Sequence, residues 1–192
     1  IVVRLVGSEM CIRDRCIVKP NAQGSTFGLS YVEKAKDLIP AIMNSRKFDK
    51  SILIEEYISG KEITVGIIQE SPMPIVEILP KNKIYDYKCK YTAGMSKYNC
   101  PADIKKGLSK KIMSDSVKIF KLLGCEGYGR IDFIIDKNEN YYFLEINTLP
   151  GMTSTSLLPI AAKAQGLSFN DLVKKIIDPV SYTHLTLPTT YH

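Results

Sequence analysis

The sequence predicts an α+β fold. Strand-like runs rich in β-branched residues mix with amphipathic helical stretches, and short turns of the hairpin kind join neighbouring strands. No internal repeat and no low-complexity run interrupts that pattern. The 192 residues suffice for one good core or two small ones.

Each element has a local reason. Residues 16–18 form an apolar stub leading to Lys19 and Pro20, and a strand ends there because proline cannot donate to a continuing ladder. Residues 21–28 (NAQGSTFG) are small, polar and glycine-punctuated, hence a loop. Residues 31–47 carry Val32, Ala35, Leu38, Ile39 and Ile42 at helical spacing, with Pro40 at a kink or break. Residues 51–58 (SILIEEYI) read as a strand closed by the Ser59-Gly60 turn, and residues 62–69 and 73–78 as two more. Residues 81–101 are polar and tyrosine-rich, long for a loop inside a compact domain, and therefore a functional suspect. Residues 102–123 form an amphipathic helix that turns Ile104, Leu108, Ile112, Val117, Phe120 and Leu123 inward and stops at Gly124. Residues 128–135 and 141–146 are strands flanking the turn DKNEN. Residues 148–156 make a second special loop, and residues 157–165 and 168–177 close the chain as helices. The last helix has Ser168 as N-cap and Asp171 at its third position, an approximate capping box.

Composition narrows the function classes. Hydrophobic residues at 45% and charged residues at 24% are ordinary for a globular protein, and no apolar run is long enough to cross a membrane as a helix. The net charge of +6 suits an anionic ligand such as a nucleotide, while the dispersed lysines form no stripe of the kind nucleic acid requires. Five scattered cysteines without a CxxC pair read as reduced thiols of a cytosolic protein. His184 and His192 are the only histidines and lie close to the C-terminus, which argues against histidine catalysis or a zinc site. The ends stand apart. One coding of residues 9–14 (EMCIRD) has a reverse complement that encodes residues 180–185 (VSYTHL). Residues 1–15 and 179–192 are therefore expected to be translated sequencing adapter and not native sequence, with a truncated native portion between them.

Three clusters carry chemistry. Lys19 with residues 23–28 (QGSTFG) places a cation beside a glycine-rich loop whose amides can approach phosphate, although no Walker A motif is present. Asp132 lies inside an apolar strand, and Glu145 and Asn147 lie at the end of the next one, two apart and so on one face. Carboxylates there are costly to bury unless paired or metal-bound, and hard oxygen ligands suit Mg²⁺. Arg130 shares strand and face with Asp132 and adds planar donors for an oxyanion. The third cluster is residues 147–157 (NTLPGMTSTSL), where Gly151 offers an unobstructed N–H and the serines and threonines precede a helix N-terminus that favours an anion.

The strings IVKPNAQGSTFG, ILIEEYISGKEITV, YDYKCKY, GCEGYGRIDF and FLEINTLPGMTSTSLLP resemble the ATP-grasp segments of D-alanine–D-alanine ligases, in family order, over residues 16–177. The resemblance implies part of an ATP-grasp fold: a truncated central subdomain over residues 16–70 and a C-terminal subdomain, with antiparallel sheet and flanking helices, over residues 71–178. It implies that Lys19 contacts the nucleotide phosphates under a lid formed by Ser25, Thr26 and nearby amides. Glu55 would take the adenine amino group, the backbone at Tyr57 and Ile58 the ring, and Glu62 the ribose. Asp132, Glu145 and Asn147 would bind two Mg²⁺ (or Mn²⁺) ions, Glu145 bridging them. Arg130 and the Gly151 N–H would stabilise a tetrahedral oxyanion, while Lys90 would sit near the γ-phosphate and the second D-alanine. Ser156 and the Leu157 N–H would hold that substrate's carboxylate. Ser25 and Tyr91 would share a lid contact, with Tyr85 in the same loop.

The implied reaction joins two molecules of D-alanine at the expense of ATP, for peptidoglycan synthesis in a bacterial cytoplasm. The parent protein is expected to be a homodimer with neither nucleic acid nor membrane as partner. The family's N-terminal domain, with the acidic anchor for the first D-alanine and a second phosphate-binding lysine, precedes the region of resemblance, so this chain alone is expected to be inactive. Glu56 stands where some members carry lysine, which bears on hydrogen bonding to adenine. Rival readings are a D-alanine–D-lactate ligase, for which Tyr91 is the discriminating position, a more distant ATP-grasp carboxylate–amine ligase, and a non-catalytic nucleotide-binding fragment.

Overall fold

The computed structural model describes residues 2–6, 15–80 and 96–184, with side chains described over 15–80 and 96–178. Two compact units emerge, Ile1–Ser59 with Pro80–Lys97, and Gly60–Leu79 with Tyr98–His192.

Strands β1 (Val2–Val6), β2 (Cys16–Pro20), β3 (Ser30–Val32) and β4 (Ser51–Glu56) build the first unit, in the order β1-β4-β2-β3. β1 runs parallel to β4, and β2 runs antiparallel to both β4 and β3. Alternation along the strands sends Cys16, Val18, Ile52 and Ile54 to one side, where Val32 and Ala41 complete a small core. Helix α1 (Leu38–Ser45) supplies Ala41 and rests Leu38 and Ile42 against that cluster. A helix over residues 31–47 is not what forms. Residues 30–32 pair with β2, a 3-10 turn spans Ala35–Asp37, and α1 begins only at Leu38. Pro40 thereby falls in the first turn, where a backbone N–H has no α-helical acceptor to lose.

The second sheet contains β5 (Gly60–Ile68), β6 (Ser71–Pro72), β7 (Val76–Pro80), β8 (Ser96–Asn99), β9 (Tyr128–Asp136) and β10 (Tyr141–Asn147). Their order is β10-β9-β5-β7-β8, with β6 on the end of β5. β5 pairs antiparallel with β9 along its whole length, from Gly60 opposite Asp136 to Ile68 opposite Tyr128. That continuous ladder lies wholly within the unit that begins at Gly60. One face of the sheet carries Ile63, Val65, Ile67, Ile131, Phe133 and Ile135 against Ile112 and Phe120 of α2 (Lys106–Leu122). Gly124 ends α2 in the left-handed region at φ +66°, but Leu123, read as inward, is exposed.

Helix α3 (Leu157–Ala164) packs on the opposite face, where Gly66 makes room for it: a Cβ there would lie 2.6 Å from Leu158 Cδ1. Helix α4 (Phe169–His184) opens with the capping box read from sequence. The Asp171 N–H donates to Ser168 Oγ over 3.1 Å, and the Ser168 N–H donates back to Asp171 Oδ2 over 3.2 Å. The helix continues past residue 177, the end read from sequence. β1 and the end of α4 belong to the two end segments that the sequence sets apart. Among the described residues, no helix is long and apolar enough to cross a membrane.

Candidate functional site

The polar face of the second sheet is set by residue parity and one irregularity. On β5 and β9 the even-numbered residues point away from the α2 core, with Thr64 opposite Asp132 and Gly66 opposite Arg130. β10 pairs in step from Tyr141 opposite Ile135 to Phe143 opposite Phe133, then carries one extra residue at Leu144, so that Glu145 opposes Asp132 and Asn147 opposes Arg130. An uninterrupted ladder would bring Glu145 opposite Ile131 and turn it into the apolar core, because a shift of one residue exchanges the faces of a strand. The bulge aims Glu145 and Asn147 at Asp132.

Asp132 is only 5% exposed, and its burial is compensated by charge and hydrogen bonds. Arg130 grips it in a fork, with Nε 2.9 Å from Oδ1 and Nη2 2.8 Å from Oδ2. Thr64 Oγ1 lies 2.5 Å from Oδ1. Asn147 Nδ2 makes longer contacts, 3.4 Å to Asp132 Oδ2 and 3.5 Å to Glu145 Oε1. Glu145 is exposed, and no salt bridge reaches it among the described residues. Two carboxylates on opposed sheet positions repel, so a cation between them is electrostatically favoured. Among the described residues no group of three or more His, Cys, Asp or Glu gathers at one point. The donor set is two carboxylates and one side-chain amide, which turns its oxygen or its nitrogen to the same place. It fits Mg²⁺ or Mn²⁺ with phosphate and water completing the shell, and it does not fit zinc.

The loop after β10 is tied to itself. Ser156 Oγ accepts the Thr153 N–H at 3.0 Å and lies 2.8 Å from Thr153 Oγ1. Gly151 is exposed, and a Cβ on it would meet Ser156 Oγ at 2.8 Å, so a side chain there would displace that hydroxyl. Ser156 is the N-cap of α3 by backbone, yet its side chain turns back to Thr153 and does not cap the first turn. The N–H groups of Leu157 and its neighbours in the first turn have no intrahelical acceptor and form the positive end of the helix dipole. Glu62, half-buried on β5, stands on the same face as Thr64.

In the first unit, Lys19 and Glu55 are bonded to each other, Nζ to Oε2 at 2.8 Å, on the face of the sheet opposite the core. Tyr57 packs edge-on to Tyr31 at 4.7 Å, with the Arg15 guanidinium 5.4 Å from its ring, and its N–H donates to the Arg15 carbonyl. Ile58 beside it is half-buried. In the glycine-rich loop Ser25 and Thr26 adopt φ of 56° and 60°, a rare conformation for non-glycine residues. Asp49 ties that loop down: Oδ2 accepts the Ala22 N–H and Oδ1 the Ser51 N–H. Those backbone bonds, Ser51 foremost, hold the Asp49 carboxyl below its usual range.

The structure therefore gathers Arg130, Asp132, Glu145 and Asn147 in one unit, and Lys19 with Glu55 in the other. Tyr85, Lys90 and Tyr91 lie outside the described residues. Two residues escaped the sequence reading. Thr64 looks like any strand-forming threonine, and Asp49 like any turn aspartate.

Known proteins resemble this chain both in sequence and in fold. The family model "D-ala D-ala ligase C-terminus" matches residues 12–178. The D-alanine–D-alanine ligase of Methylacidiphilum infernorum is 45% identical over 166 residues, covering 86% of this chain and 54% of that protein. The ligase of Aquifex aeolicus is also 45% identical, covering 84% of this chain and 55% of its own length. Among solved structures, D-alanine–D-alanine ligase from Bacillus anthracis aligns with a TM-score of 0.77 at 32% identity, over 90% of this chain and 56% of that one. The VanG D-Ala:D-Ser ligase of Enterococcus faecalis gives 0.74 at 32% identity, over 85% and 48%. A Bacillus anthracis ligase complexed with ATP gives 0.74 at 30% identity, over 90% and 55%. The chain spans about half the length of the curated relatives it matches.

Proposed function

Because the chain belongs to the D-alanine–D-alanine ligase family, we propose that it supplies the nucleotide- and metal-binding part of an ATP-dependent ligase that joins two molecules of D-alanine. The activity is assigned to the whole protein, and the chain by itself is expected to bind nucleotide without turnover. The observation that carries this reading is the meeting of Asp132, Glu145 and Asn147 on one sheet face beside Arg130. A carboxylate–amine ligation needs a carboxylate oxygen to attack the γ-phosphorus of ATP, releasing ADP and leaving an acylphosphate. The amine of the second substrate then attacks the acyl carbon, and phosphate departs. Such chemistry rests on charge neutralisation and alignment more than on a protein nucleophile.

Each residue has a task in that scheme. Asp132, Glu145 and Asn147 would hold Mg²⁺, which when bound neutralises the phosphoryl oxygens. Arg130 would steady Asp132 and, with its planar set of donors, donate to the tetrahedral oxyanion together with the Gly151 N–H. Ser156 and the amide of Leu157 would orient the second substrate by its carboxylate. Lys19, Ser25, Thr26 and Lys90 would meet the phosphates, Glu55 with the backbone at Tyr57 and Ile58 the adenine, and Glu62 the ribose. The product would enter peptidoglycan synthesis in a bacterial cytoplasm.

D-serine as second substrate is the competing reading, favoured by the likeness to the D-Ala:D-Ser ligase. The 45% identity to curated D-alanine–D-alanine ligases supports D-alanine. The test is phosphate release from ATP and Mg²⁺ by a chimera that joins this chain to the N-terminal half of a homologous ligase. Release that depends on D-alanine alone supports the reading. Release that needs D-serine favours the competitor, and release indifferent to either amino acid contradicts both.

A further inference from the structure

We infer that Thr64 is a positioning residue for the metal-binding carboxylate: its hydroxyl, 2.5 Å from Asp132 Oδ1, holds that side chain so that Oδ2 is presented toward Asn147 and Glu145. The inference rests on the reading of Asp132, Glu145 and Asn147 as metal ligands. Residues 63–68 of β5 are all buried, and Thr64 is the one polar side chain in that run, 1% exposed. A hydroxyl in that place is costly unless it has a partner, and valine, of the same shape, would fill a strand interior without that requirement. Two acceptors are in reach, the Ile131 carbonyl at 3.1 Å and Asp132 Oδ1 at 2.5 Å. A hydroxyl has one proton to donate, and the charged, nearer acceptor takes it.

Thr64 also differs from Arg130 in what it can hold. Arg130 sits two residues from Asp132 on the same strand, with a long side chain that the chemistry asks to serve an oxyanion as well. Thr64 sits directly opposite Asp132 on the neighbouring strand, and its branched side chain is stiff about χ1. It keeps Oδ1 fixed whatever Arg130 does. Fixing Oδ1 fixes the carboxylate plane, and with it the direction of Oδ2, the oxygen that already faces Asn147.

The test is Mn²⁺ binding to the chain in the presence of ADP, read by electron paramagnetic resonance, alongside thermal unfolding of each variant. Asp132→Asn serves as the reference for loss of a ligand. Thr64→Val and Thr64→Ala should weaken Mn²⁺ binding about 10-fold or more, the usual effect of an outer partner on metal affinity. Thr64→Ser, which keeps the hydroxyl, should bind as the unsubstituted chain does. Should Thr64→Val fail to fold, the contrast between Thr64→Ala and Thr64→Ser decides, since both lose the methyl and only one loses the hydroxyl. Unchanged affinity in the valine and alanine variants, with a loss in Asp132→Asn, overturns the positioning role and leaves the ligands standing. A serine variant as weak as alanine also overturns it. No Mn²⁺ binding by the unsubstituted chain, or no loss in Asp132→Asn, removes the ligand assignment and the inference with it.

Discussion

The two faces of the β5–β9–β10 sheet are made by the same strands and do different work. One presents Ile63, Val65, Ile131, Phe133 and Ile135 to α2, with Phe133 in edge contact with Tyr141 and Phe143 of β10. The other presents Glu62, Thr64, Arg130 and Asp132. On β5 and β9 strict alternation keeps stability and chemistry apart. β10 serves both by changing phase at Leu144, so its first half stacks against Phe133 and its second half faces Asp132. Asp115 on α2 receives the Tyr141 hydroxyl at 2.5 Å, tying the first half of β10 to that helix. A local register change thus lets one strand complete an apolar core and a polar face at once.

The comparison can be broken at either face. Phe133→Ala removes the centre of the apolar side and should cost about 3–5 kcal/mol in urea unfolding. A loss below about 1 kcal/mol would mean that this face is not the core. Deleting Leu144 should close the bulge into an even ladder with Phe143 still opposite Phe133 and Glu145 still opposite Asp132, so Mn²⁺ binding should be kept. Lost Mn²⁺ binding in a folded deletion variant would show that the register of Glu145 opposite Asp132 is not what aims the ligands. Tyr141→Phe sharpens the comparison from the apolar side, at about 1 kcal/mol for the hydrogen bond to Asp115. Desolvation first, and the bond to Asp115 second, push Tyr141 up to about 12 from 10.0. Between those values the unfolded chain releases a proton that the folded chain retains, so stability should hold below pH 10 and fall as pH rises toward 12. The phenylalanine variant should lose that part of the alkaline slope; an unchanged slope would exclude Tyr141 as its source.

Much of the β9–β10 hairpin is legible from residue types alone. Residues 128–135 and 141–146 are apolar and β-branched, and Asp136 with Asn138 and Asn140 closes a turn in which Asp136 accepts both asparagine N–H groups. Asp132 and Glu145 stand out because carboxylates in such strands require a partner. Their convergence, however, depends on the bulge at Leu144, and leucine carries no mark of a bulge. The strand at residues 30–32 is hidden for the opposite reason. Val32, Ala35 and Leu38 fit helical spacing, but pairing of residues 30–32 with β2 outweighs it. Thr64 is concealed because its role lies in a cross-strand partner far away in sequence.

The central claim is that the polar face binds Mg²⁺–nucleotide while the apolar face holds the fold. Glu145→Gln tests it most directly, since Glu145 is exposed and the substitution keeps shape while removing charge. Titration of ADP with Mg²⁺ into both proteins, paired with their thermal unfolding, gives the answer. The expected result is a stability change within about 0.5 kcal/mol and a clear fall in Mg²⁺-dependent ADP affinity. Equal Mg²⁺-dependent affinity in the two proteins would contradict the account.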